Sequence, residues 1–147
     1  IMEFRLGHKR QRIIDMTPEG VPLRDELIQA LEKRSLMDVL NGFLARSGYD
    51  IPEEVLNRDV REATSANEGV QNVLLKMYRE KPDVSVLLEL LTDIDEGIQE
   101  WRYRHVKLAE RTIGAKIGTG GSDGVEFLKR TLFTPLFPDL WAIRSEM

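Results

Sequence analysis

From Val84 to Leu108 the apolar residues return every three or four positions: Val84, Leu87, Leu91, Ile94, Ile98, Trp101, then His105 in the same rhythm, then Leu108. That spacing gathers a stripe along one side of an α-helix, and no stretch of the 147 residues sustains the period of two that a half-buried strand requires. The chain is therefore expected to be all-α, a helical bundle organised around one long helix. The stripe places His105 on a seam facing the core, with Ile98, Trp101 and Leu108 as neighbours. A buried imidazole without a partner costs about 1–3 kcal/mol. A carbonyl, a carboxylate, a water or a metal must then stand beside it, and a satisfied core histidine is the plainest case.

Shorter segments surround this helix. Ile1 to Gly7 reads as the last turns of a helix whose beginning lies upstream, which predicts a truncated chain, and His8-Lys9-Arg10-Gln11-Arg12 reads as a solvated basic exit. Ile13 to Met16 is expected to form a short turn before the Thr17-Pro18-Glu19-Gly20 loop. Pro22 opens a helix running to Arg34, and Ser35 caps a second with Met37, Leu40, Phe43 and Leu44 on one face before Gly48. The two are expected to form an antiparallel pair. Glu53 to Ala63 is polar and shows no clear period. Asn67 to Lys81 is helical again until Pro82, Asp83 is placed to cap the long helix, and Val125 to Phe133 and Pro138 to Arg144 supply two closing helices.

Composition excludes several functions. A net charge of −4 and a pI near 5.3 leave no basic footprint for nucleic acid. The absence of cysteine removes disulfides, thiolate metal sites and thiol nucleophiles, and it suits a reducing cytoplasm. No apolar run approaches the roughly 20 residues of a membrane span and no signal peptide opens the chain, so a soluble, cytoplasmic protein of one domain over residues 1–147 is expected.

The tract Gly118-Thr119-Gly120-Gly121-Ser122-Asp123-Gly124 fails both phosphate-binding patterns: it follows a helix instead of a strand, and Val125-Glu126 stand where a phosphate loop needs lysine and a hydroxyl. A helix terminator and flexible connector is the plain reading. A helix running straight on from His105 to Gly118 would carry Thr119 roughly 20 Å from the imidazole, at about 1.5 Å per residue. Glycine backbone freedom allows the loop to curl back instead.

Taken in order, these residues resemble the proximal-histidine segment of the tryptophan 2,3-dioxygenase family. That family carries a tryptophan four residues before its iron-binding histidine, an arginine six after it and a Gly-Thr-Gly-Gly-Ser loop whose threonine lies fourteen after it; here these are Trp101, Arg111 and Thr119 around His105. The likeness continues through Phe127-Leu128 and Phe137-Pro138-Asp139-Leu140-Trp141-Ala142-Ile143-Arg144. The resemblance implies a haem-dependent enzyme that cleaves the indole C2–C3 bond of L-tryptophan with dioxygen to give N-formylkynurenine. It implies haem b with His105 as axial iron ligand, and Thr119 holding the amino-acid part of the substrate. Trp101, Ala109 and Ile113 share the ligand's helix face, where a flat macrocycle can lie; plain core packing is the alternative for Trp101. Arg102, Arg104, Lys107, Arg111 and Lys116 form either a solvated face or partners for the haem carboxylates. The family's substrate-binding arginine and distal histidine fall before residue 1, so no catalytic residue is assigned within the chain. It is expected to be the C-terminal portion of a longer homotetrameric dioxygenase, inactive alone. Rival readings are a relative oxidising another indole compound, a cofactor-free helical interaction module, and an inactive scaffold fragment.

Overall fold

A computed structural model describes Phe4, residues 10–114 and residues 125–147. Among the described residues there is no strand. The helices are α1 (Arg10–Met16), α2 (Pro22–Gln29), α3 (Leu36–Arg46), α4 (Glu53–Leu56), α5 (Glu68–Glu80), α6 (Pro82–Ile113), α7 (Val125–Lys129) and α8 (Pro138–Ala142), followed by a 3-10 turn over Ile143–Ser145. None of them is long and apolar enough to cross a membrane.

The 32 residues of α6 run about 48 Å at 1.5 Å per residue, and α5, α7 and α8 pack against it. Pro82 is its first residue, where the missing donor costs nothing, so the proline that ends α5 also starts α6; Lys81 is the cap and Asp83 makes no capping bond. At the other end Gly114 adopts φ +59° with ψ −135°, a positive-φ conformation open mainly to glycine. The main core joins Leu74 and Met77 of α5, Leu88 of α6, Leu44 of α3, and Leu140 and Ile143 of the C-terminal segment. α3 starts as its sequence demands. The Ser35 side chain accepts from the Asp38 N–H, and Asp38 accepts from the Ser35 N–H, a reciprocal cap at the buried helix end.

Three further expectations change. The antiparallel pairing of the segments at 22–34 and 35–48 gives way to a different arrangement: α2 ends at Gln29, and its Leu27 packs with Phe4 and Ile14 in a satellite cluster. Phe43 lies exposed, outside the buried face of α3. The basic run at 8–12 is not simply a solvated exit. Arg10 opens α1 only 1% exposed and donates to the carbonyls of Phe4, Leu31, Lys33 and Val60, where the ends of several segments converge. A guanidinium with five donors can serve that many acceptors, which is why a charge is retained there. His8 lies outside the described residues.

Candidate functional site

The largest departure concerns the seam of α6. Its core side is formed by Leu88, Thr92, Asp95, Arg102 and Val106, all buried, with Val84, Leu91 and Ile98 packed partly against the core. Leu87, Leu90, Ile94, Trp101 and Leu108 are exposed, and so is His105. The expectation that His105 faces the core is therefore corrected: it lies off the buried line, on the exposed flank of the helix. Hydropathy periodicity misses this because the true core line contains two charged residues. Each is buried because it is satisfied. Asp95 accepts from the N–H groups of Leu136 (2.8 Å) and Phe137 (3.0 Å) and from the indole N–H of Trp141 (3.0 Å), while Arg102 donates to the carbonyl of Thr134.

On the outward side the His105 imidazole lies parallel to the Trp101 indole, with ring centroids 5.0 Å apart and planes 8° apart. The four-residue interval brings the two rings together one turn apart. Trp101 is 46% exposed, so its indole is not the plain core residue that its apolar spacing allows. Among the described residues the ring nitrogens of His105 have no hydrogen-bond partner, and no group of three metal-ligating side chains forms. One imidazole cannot hold a metal by itself, so a metal bound here would need its other ligands from a separate group. Ala109 follows one turn later, half-buried, with a side chain too small to obstruct a flat group. Ile113 is the last residue of α6. Thr119 and Lys116 lie outside the described residues.

The cations of this stretch separate by partner. Arg102 belongs to the core side. Arg104 pairs with Glu100 (2.6 Å), and Lys107 pairs with Glu110 (2.9 Å) while its ammonium sits 5.8 Å from the Tyr103 ring centroid. The hydrogen bond from Lys107, then that from Lys129, holds the Glu110 carboxyl below the usual range, and Lys129 ties α7 to α6 through it. Arg111 is exposed and carries no ion pair among the described residues.

The C-terminal segment was legible as a helix, but not as a clamp. Arg144 donates to Glu89 (2.8 Å), Thr92 (2.9 Å) and Tyr78 (3.3 Å), joining α5 and α6. Burial, and then the hydrogen bond with Glu89, pushes the Tyr78 hydroxyl up to about 12. An open groove of about 390 Å³, lined by Arg34, Val39, Arg46 and Leu56 among others, includes no residue of α6.

Comparison with known proteins bears on what this surface serves. The family profile described as Tryptophan 2,3-dioxygenase matches residues 63–147, which include all of α5 to α8. A tryptophan 2,3-dioxygenase of Herpetosiphon aurantiacus is 47% identical over 146 residues, covering 99% of this chain and 55% of that protein. One from Anaeromyxobacter sp. is 44% identical over 152 residues, and one from Bacillus thuringiensis subsp. konkukian is 37% identical over 150; each match takes in 100% of this chain and 55% or 54% of the relative. The chain thus spans about half the length of these relatives.

Proposed function

Because the chain belongs to the tryptophan 2,3-dioxygenase family, we propose that it forms the proximal side of a haem pocket in an enzyme that opens the indole ring of L-tryptophan with dioxygen, yielding N-formylkynurenine. The observation that carries this reading is the outward-facing His105 imidazole, without a hydrogen bond among the described residues and stacked on Trp101 in the middle of an exposed apolar helix face. A soluble protein does not usually leave Leu90, Ile94, Trp101 and Leu108 to water along one line, so a face of this kind marks a surface to be covered.

In this proposal His105 would bind the iron of haem b, and Trp101, Ala109 and Ile113 would supply the neighbouring surface for the macrocycle. Haem, when bound, supplies the iron at which dioxygen is activated; the protein orients, tunes and excludes water. Trp101 holds the imidazole plane by stacking, which fixes the direction of its ring nitrogens. Arg111, unpaired among the described residues, suits a haem carboxylate, and Thr119 suits the ammonium or carboxylate of the substrate through its hydroxyl. The whole enzyme is proposed to be a cytoplasmic homotetramer. Residues 1–147 act in it as one helical unit, and the substrate-binding arginine and distal histidine come from the remainder.

Haem titration of the protein, followed by its Soret band, tests ligation: His105→Ala should abolish the histidine-ligated spectrum, and identical spectra reject it. Formation of N-formylkynurenine by the full-length protein tests the reaction, and no product from L-tryptophan under reducing, aerobic conditions rejects that substrate.

A further inference from the structure

Asp95 is 0% exposed in the face of α6 that packs on the core, and the ligation of iron by His105 makes no use of it. Its Oδ2 gathers the N–H groups of Leu136, Phe137 and Trp141, and its Oδ1 accepts from Gln99 (3.3 Å). Two turns on, Arg102, 3% exposed, donates to the carbonyl of Thr134. The segment from Thr134 to Trp141 is thus fastened to α6 at two levels. Seven residues separate the two anchors, so at about 100° per residue they project within roughly 20° of one another, while His105 stands roughly 60° round the helix from Arg102.

Such anchors do more than add stability. Apolar contact is non-directional and lets a helix roll on its neighbours, whereas hydrogen bonds to fixed backbone groups weaken steeply when misaligned. A roll of about 20° moves a side-chain tip at a radius of about 5–6 Å by roughly 2 Å. A metal ligand tolerates only about 0.5 Å.

We infer that Asp95, supported by Arg102, is a positioning residue for the iron ligand: it fixes the roll of α6 that aims His105 outward and links that roll to the C-terminal segment at 134–141. The inference rests on the proposed ligation of haem by His105. It explains why the core face of this helix carries a carboxylate and a guanidinium where leucine would pack without desolvation cost.

The test uses the haem-loaded full-length protein and the ferrous iron–imidazole stretch by resonance Raman, together with the rate of haem loss. Asp95→Asn, and more weakly Trp141→Phe, should shift the stretch and loosen haem, the former on the order of tenfold, the lower end of the effect of removing support around a metal ligand. Leu74→Ala, which opens the core in α5 away from these anchors, should leave the stretch in place. An unchanged stretch in both Asp95→Asn and Trp141→Phe, or an equal shift in Leu74→Ala, overturns the inference. If Asp95→Asn does not fold, Trp141→Phe decides, since it removes one donor and keeps an aromatic ring. Spectra unaffected by His105→Ala would overturn ligation and this inference together; a His105-dependent stretch that ignores Asp95 and Trp141 would overturn the inference alone.

Discussion

Replacing His105 by alanine distinguishes an outward-facing ligand from a core histidine through the state in which stability is lost. Without haem the ring is exposed and has no hydrogen-bond partner among the described residues, so the variant forfeits only the stack on Trp101, about 0.5–1.5 kcal/mol. The better helix propensity of alanine returns up to about 0.7 kcal/mol. The expected net loss is under about 1 kcal/mol, smaller than the roughly 2–5 kcal/mol of an emptied core position. With haem at about 100 times its Kd, the wild type gains about 2.7 kcal/mol by linkage, and the variant should lose most of it. At a urea m-value of about 2 kcal/mol/M that gain moves the unfolding midpoint by roughly 1.4 M. Urea melts followed by far-UV circular dichroism, with and without haem, measure both quantities. A loss above about 2 kcal/mol in the haem-free variant, or equal haem-induced shifts in wild type and variant, would refute the outward-ligand argument.

Two glycines in helices should respond with opposite sign to alanine. Gly97, on the exposed side of α6, has open space where a methyl group would project, with nothing within 4 Å, so Gly97→Ala should raise haem-free stability by about 0.5–1 kcal/mol. At Gly69 the new Cβ would collide with the Pro52 ring, so Gly69→Ala should lower the melting temperature; melts of the same sign would contradict the packing of α5 on that proline. Ser35→Ala should cost about 1 kcal/mol as a lost cap. Asp38→Ala should cost about 3–5 kcal/mol because it also strips Arg58 of its buried partner, and equal losses in denaturant melts would show the Arg58 bond to be unimportant. Burial alone would raise the Asp38 carboxyl, but the hydrogen bonds from Arg58 and Ser35 outweigh it and hold the group below the usual aspartate range. Its contribution is therefore present above the unfolded-state value and lost as pH falls through the lower folded one, and Asp38→Asn should flatten the acid limb of a stability-against-pH curve. Asp139 behaves in reverse: burial raises it against the hydrogen bonds from Asn67 and Gln71, so its contribution is greatest at low pH and is lost as pH rises through the raised value. Relative to wild type, Asp139→Asn should gain stability as pH rises above the ordinary aspartate range; a constant difference would count against this sign.

Helical character, the starts of α3, α5 and the C-terminal helix, and the histidine in a family-like setting could all be read along the chain. These are local matters: Ser35 and Asn67 cap through their own side chains, Pro82 and Pro138 pre-set the first turn of a helix, and the order of Trp101, His105 and Arg111 is covalent. Which side of α6 meets the core was not a local matter. Both sides carry apolar residues at helical spacing, and the line that is buried contains Asp95 and Arg102, which any hydropathy count assigns to solvent. Only the return of residues 134–141, some forty positions later in the chain, provides the N–H groups and the carbonyl that make those two charges cheaper inside than out. Arg10 follows the same rule at the other end, where four carbonyls from separated segments convert a basic surface run into a buried joint. The direction of His105 follows from packing because a buried charge is located by its partners, and those partners are brought together only by folding.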